Sequence, residues 1–345
     1  MDRHRPQAKA ARSCDRLADG FSSQNLHLTL LVAVLTRRRP HMLVALMHSL
    51  AKLQLPDNCS VSYLVVENDT EQRVLDAVQA VAPLFPAPPL YVHEDEPGIP
   101  FGRNRAVREA IARDCDLLLF VDDDEEVAED WLVHMVAAYR TTGAVLLGGP
   151  LRAQAPKSKL SLAQRKMFEN IQAFYKAKED RANRDCEDGN SSKVRIVTNN
   201  WLADLSIFRD HDIWFDESMR FTGGTDSKLY TQVRDRGLPT CWVRDAIVYE
   251  TIALDRLSFA YQFRRCRDQA NVHARHKTET LGRPAIAALF PIFPKLVKGV
   301  WQAILLPIKR GNNLLDLART TGLIAGRIAF VRGKKPSLYQ ETTGH

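Results

Sequence analysis

Three aspartates in succession, Asp122, Asp123 and Asp124, follow directly on five apolar residues, and Glu125 and Glu126 extend the acidic run. Carboxylates crowded this closely repel one another unless a cation lies between them. Hard oxygen donors of this kind suit Mg²⁺ or Mn²⁺, usually alongside substrate phosphates. A second acid, Asp226, follows Gly223, Gly224 and Thr225 and stands at the start of a helix-period run. An Asp there has two uses, capping the helix or drawing a proton from a hydroxyl in a cleft. Arg103 and Asn104 open a further helical stretch, where guanidinium groups and helix amides together favour anions.

These side chains need a scaffold to bring them together. The run LLLFV at 117–121 fits a strand buried on both faces of a mostly parallel sheet, which would hold the acidic run at the strand's carboxyl end, where open α/β sheets collect ligands. The same letters have a second reading, the acidic first turn of a helix through Trp131 and Met135. Upstream, a strand from about Leu26 ends in a polar turn, Thr36 to Pro40, and a helix with apolar residues at helical period follows over 42–53. A strand at 61–66 ends in Glu67, Asn68, Asp69 and Thr70 and leads into a helix over 71–81. A proline-rich break, a short strand at 90–93 and the loop before Arg103 come next. This alternation argues for a parallel sheet with helices on both faces. Downstream the patterns give a helix over 131–139, a strand at 144–149, a long helix over 156–182, and a polar loop at 183–193 that reads as a lid or as plain surface. A core stretch opens at 198–201, and a last strand over 241–249 ends at Glu250.

The net charge of +7 is unevenly spread. Residues 256–345 hold 16 Lys and Arg against 4 Asp and Glu, which leaves the first 255 residues with a net charge of −5. The six cysteines show no metal-ligand spacing and read as reduced thiols of a cytosolic protein. Residues 1–25 have positive charges without an apolar run behind them and read as a disordered lead-in. Residues 26–252 carry the alternating pattern, and 253–345 form a basic, amphipathic helical tail. Within that tail, residues 285–308 are apolar but interrupted by Pro291, Pro294, Lys295, Lys298 and Pro307, a composition that suits the plane of lipid headgroups. The competing reading is a pair of ordinary helices packed on the main domain. Basic residues interleaved with apolar ones do not make the exposed stripe that nucleic acid needs.

Taken in order, VLTRRRP, VVENDT, GIPFGRNRA, FVDDDEE, TNNWLADLSIFR, FTGGTDSKL and VYETI resemble the inverting family 2 glycosyltransferases of GT-A fold, and within them the bacterial succinoglycan-type glucosyltransferases. The resemblance implies a Rossmann-like, mostly parallel sheet flanked by helices. It implies donor contacts at Thr36 and Arg39, base reading at Glu67 and Asn68, and ribose or diphosphate contacts at Arg103 and Asn104. Asp122 to Asp124 would be the D-x-D element, with Asp122 and Asp123 facing the donor and Asp122, Asp124 and Glu250 the metal. Asp226 would be the catalytic base. The family commonly has Asp at the place of Glu67, Glu at that of Thr225 and His at that of Tyr249. The donor implied is a nucleotide-diphosphate sugar, UDP-glucose first. The implied acceptor is a glycan or polyprenyl-linked oligosaccharide at the inner face of the cytoplasmic membrane. A nucleotidyltransferase is the next reading, but no glycine or lysine stands between Thr36 and Pro40 to form a phosphate loop. A membrane-bound scaffold without catalysis is the third.

Overall fold

The computed structural model describes residues 26–189, 191–220, 223–280, 282 and 284–334, so the lead-in at 1–25 lies outside the described residues. Strand β1 (Leu28–Thr36) lies in the interior of the main sheet, with Leu30, Val32 and Val34 packed to one side and Leu31 and Ala33 to the other, all buried. Fully burying one large aliphatic side chain contributes about 1.5–3 kcal/mol, so this strand is a main source of cohesion. Pro40 opens helix α1 (Pro40–Leu50), whose buried residues Leu43, Leu46, Met47 and Leu50 fall at the spacing of one helix face. Strand β2 (Cys59–Asn68), helix α2 (Leu75–Val81), strand β3 (Leu90–Glu94), helix α3 (Ile99–Ala112) and strand β4 (Leu117–Asp122) follow.

Strands β2 and β4 both pair with β1 in parallel, and the register sets Thr36 opposite Glu67 and Leu35 opposite Asp122. Three polar strand ends therefore meet on one edge of the sheet. The acidic run is not the first turn of a helix: Glu125–Val127 forms strand β5, and helix α4 (Trp131–Thr142) starts only at Trp131. The five buried apolar residues before Asp122 commit the chain to strand geometry up to the acidic run.

The remaining elements are strand β6 (Leu146–Gly148), strand β7 (Leu151–Gln154), helix α5 (Leu162–Glu187), strand β8 (Asn200–Asp204), the short helix α6 (Ser206–Arg209), helix α7 (Thr225–Asp235), strand β9 (Thr240–Trp242) and strand β10 (Val248–Thr251). The main sheet runs β3-β2-β1-β4-β8-β6-β9, with β8 antiparallel to both neighbours, and β5, β10 and β7 form a separate small sheet. The expected last strand over 241–249 is thus two short strands in different sheets, and the second sheet sets Glu250 opposite Glu125. A capping box at Ser161 and Gln164 starts α5, and the helix extends to Glu187 through half of the stretch expected as a loop.

The tail consists of helix α8 (Phe259–Thr280), a 3₁₀ turn at Ala285–Leu289, helix α9 (Ile292–Ile308) and helix α10 (Leu314–Val331). Helix α10 lies against α8 so closely that a side-chain carbon added at Gly326 would meet the Arg267 carbonyl oxygen at 2.1 Å. It is also tied to α5, where Asn170 donates to the Gly311 carbonyl at 3.1 Å and Leu315 packs with Met167 and Ile171. Helix α9 differs, since Phe293, Val297, Trp301, Ile304 and Ile308 are all exposed. Residues Ala285–Ile308 are long and apolar enough to cross a membrane by length and composition.

Candidate active site

The polar strand ends form the floor of a cleft of about 1130 Å³. Asp123 accepts a hydrogen bond from the Thr36 hydroxyl at 2.8 Å and another from Arg39 at 2.8 Å, and Arg39 also reaches Asp124 at 3.4 Å. Arg256, in a 3₁₀ turn after β10, bridges Asp124 at 2.9 Å and Glu250 at 3.0 Å through a single guanidinium nitrogen. The other oxygen of Glu250 accepts from the Tyr175 hydroxyl at 2.6 Å. Glu125 accepts from the Asp122 amide at 2.7 Å. The Asp122 carboxylate itself accepts no hydrogen bond among the described residues.

Burial raises the pKa of every acid on this floor that shifts. Asp122 is pushed up to about 7 by burial, with Asp124, Asp123 and Glu250 adding to the effect and Arg103 opposing it. Glu125 is held well above the ordinary carboxylate range by burial and by Asp122 and Asp124. Glu250 is raised by burial and by Asp124, against Arg265 and Arg256. A cluster whose acids resist ionisation is short of positive charge. By donor chemistry, Asp122, Asp124 and Glu250 fit a hard divalent cation, and Asp122 has an open carboxylate to offer. As arranged, Arg39 and Arg256 supply the compensating charge, and no group of three or more His, Cys, Asp or Glu stands close enough to hold a metal among the described residues.

Residues 31–201 match the Glycosyl transferase family 2 description. This chain carries a family 2 glycosyltransferase domain. A Rhizobium meliloti (strain 1021) protein, succinoglycan biosynthesis protein ExoM, is 27% identical over 253 residues, 73% of this chain and 76% of that one. The structure of mannosyltransferase PcManGT from Pyrobaculum calidifontis, in complex with GDP-Man and Mn²⁺, superposes with a TM-score of 0.59 at 15% identity, covering 89% of this chain and 88% of the other. The central, mostly parallel sheet and its flanking helices are accordingly of GT-A type.

The family 2 match ends before Asp226 and Glu250, so their setting is read from this structure alone. Thr36, Arg39, Asn68, Arg103, Asp122, Asp123, Asp124 and Glu250 all line the cleft. Gly223 and Gly224 both adopt positive φ, which few other residues tolerate, and this turn starts α7 at Thr225. Asp226 lies in the first turn of α7, where its carboxylate accepts from the Ser227 amide at 2.7 Å, and Ser227 lines the cleft. Arg103, stacked over Phe215, donates to the Thr225 hydroxyl at 3.1 Å and so ties α3 to the turn that carries Asp226.

Two of the expected donor residues face inward. Glu67 is fully buried and accepts from the Arg73 and Val74 amides and from Tyr91 at 2.6 Å, which fixes the start of α2. Asn104 is buried and exchanges hydrogen bonds with the Phe215 backbone while donating to Glu217. Asn68 holds the Gly98 amide at 2.8 Å and sets the entrance to α3. The sequence reading missed Arg256 and Tyr175, which set Glu250, and the cleft-lining cations Lys178, Arg195, Arg264 and Arg319. No motif flags them. The one available signal is the run of arginines after Glu250, which the sequence places in the basic tail.

Proposed function

We propose that this chain transfers a sugar, with inversion, from a nucleotide-diphosphate donor to a hydroxyl of a glycan or polyprenyl-linked oligosaccharide in polysaccharide biosynthesis. The observation that carries the reading is the meeting of Asp122, Asp123, Asp124 and Glu250 in one cleft with Arg39 and Arg103, the latter hydrogen-bonded to Thr225, the neighbour of Asp226. A departing diphosphate needs positive charge, and Arg39, just after β1, and Arg103, on α3, line the cleft to provide it. A divalent cation on Asp122, Asp124 and Glu250 supplies Lewis-acid neutralisation of that diphosphate when bound. Asp226 takes the proton of the attacking hydroxyl, in a single displacement without a covalent sugar on the protein.

A UDP-sugar is the donor proposed, UDP-glucose first, on the likeness to the succinoglycan protein. The exposed apolar side of α9 supports a place at the cytoplasmic face of the membrane, with residues 26–252 as the catalytic domain and 253–345 as the surface-binding tail. The test is release of nucleoside diphosphate from UDP-, GDP- and dTDP-sugars with Mn²⁺, with Mg²⁺ and with chelator, for wild type beside Asp124→Ala. Metal-dependent release from one donor, lost in the variant, is the expected result. Absence of release from every donor in the presence of membrane lipid extract overturns the reading and favours a scaffold.

A further inference from the structure

The cleft has a second wall, opposite in sign to its floor. Lys178 comes from α5, Arg195 from the segment before β8, Arg264 and Arg265 from α8 and Arg319 from α10, and all five line the cleft. Among the described residues, Lys178, Arg195 and Arg264 take part in no salt bridge or hydrogen bond. Arg319 lies over the Phe174 ring, its guanidinium carbon 3.9 Å from the ring centre. Among the described residues no hydrogen bond or salt bridge engages its guanidinium N–H groups, which can meet phosphate oxygens in pairs.

These cations also act on one another. Desolvation inside the cleft holds the Lys178 ammonium below its ordinary value, Asp226 and Glu250 oppose that effect, and Arg195 and Arg319 add to it. Lys178 therefore feels both the acidic floor and the helix that bears Asp226. Lys178, Arg195 and Arg264 bring positive charge to the cleft with no bonded counter-ion among the described residues, and an anion of more than one charge would supply one. On the glycosyl-transfer reading the donor's diphosphate has its own partners, Arg39 after β1 and Arg103 on α3. The second wall is left for the other substrate, whose hydroxyl must come to Asp226.

We propose that Lys178, Arg195, Arg264, Arg265 and Arg319 form an oxyanion subsite for a phosphoryl group carried by the acceptor. The inference rests on the glycosyl-transfer reading above and narrows the acceptor to a phosphate- or diphosphate-bearing glycan. Two sources share that chemistry, a diphosphate joining the glycan to a lipid and a phosphate on a soluble glycan. Helices α8 and α10, which supply three of the five cations, flank the exposed apolar helix α9 in the chain, so a lipid-linked group is the one to test first.

The experiment is calorimetric titration of inorganic pyrophosphate into the full chain, already saturated with Mg²⁺ and with the nucleoside diphosphate that the donor panel selects. One further binding event is expected, with Lys178→Gln/Arg264→Gln weakening it by about tenfold or more, the loss of at least one charge-assisted hydrogen bond. Nucleoside diphosphate binding is expected to stay unchanged in that variant. A saturated wild type that takes up no pyrophosphate, or an equal affinity in the double variant, overturns the subsite. A wild type that binds pyrophosphate through this pair but binds no nucleoside diphosphate sinks the donor reading instead, so the two failures are separate. Competition by farnesyl diphosphate better than by glucose 1-phosphate assigns the site to a lipid-linked acceptor, and the reverse order to a soluble one. If neither competes, the acceptor assignment falls.

Discussion

Nη1 of Arg256 lies 2.9 Å from Oδ2 of Asp124, with both side chains less than one-tenth exposed, and the same nitrogen is 3.0 Å from Glu250. One guanidinium thus holds together two of the acids that the proposed cation would use. Removing one partner of a buried ion pair costs about 3–5 kcal/mol, because it leaves the opposing charge without compensation. Arg256→Gln is therefore expected to lower the thermal midpoint in the absence of metal, and added Mn²⁺ to raise it more in the variant than in wild type. Thermal unfolding with and without Mn²⁺ measures this. Equal metal-induced shifts in the two proteins would show that Arg256 and a cation do not share these carboxylates.

Asp226 accepts only its neighbour's amide among the described residues, so its exchange for Asn alters little else in the fold. Asp226→Asn is expected to bind the nucleotide sugar as wild type does and to lose turnover by about 10²–10⁴-fold, the usual worth of a general base. Donor titration beside a turnover assay checks both halves. Loss of donor binding would move Asp226 from base to structural support of α7.

Much of this arrangement is legible in the sequence, and the boundary is physical. Strands β1, β2 and β4 are short apolar runs with polar ends, and parallel pairing needs no further information to bring Thr36, Glu67 and Asp122 to one edge. The glycine pair before Asp226 likewise marks its turn. The bridge from Arg256 to Asp124 joins segments far apart in the chain, and nothing local encodes it. The family resemblance alone puts base reading at Glu67. Its hydrogen bonds to the Arg73 and Val74 amides depend on how the chain re-enters α2. In the tail, composition suggests a surface helix, whereas the close approach of Gly326 to the α8 backbone decides that α10 packs inward and α9 is left outside.

Asp69 gives the fold a pH dependence apart from the floor of the cleft. It is fully buried, which alone would raise its pKa, but Arg38, the Thr70 amide and Arg37 more than offset that and hold its carboxyl below the ordinary range. A depressed carboxyl stabilises the fold above its unfolded value of about 3.9, and that contribution is lost as pH falls through the folded value. Asp69→Asn is expected to cost about 1–3 kcal/mol at neutral pH, the price of leaving its partners unpaired. The gap to wild type should narrow below about pH 4. Chemical denaturation of both proteins between neutral pH and pH 3 tests this, and a gap that stays constant would place the effect in packing instead of charge.

The exposed side of α9 carries Phe293 at 74% and Trp301 at 60% exposure, an apolar surface that water does not favour. On the membrane reading, these rings enter the headgroup region when the chain meets a bilayer. Burying such a side chain is worth about 1.5–3 kcal/mol, so each ring removed should weaken partition onto anionic vesicles by about tenfold or more. Phe293→Ser/Trp301→Ser is expected to stay folded, since both rings face outward, and to stay in the supernatant when vesicles are sedimented. Nucleoside diphosphate release from the donor in solution should be unchanged, because neither ring lines the cleft. If the double variant sediments with vesicles as wild type does, α9 is not what holds the chain to lipid.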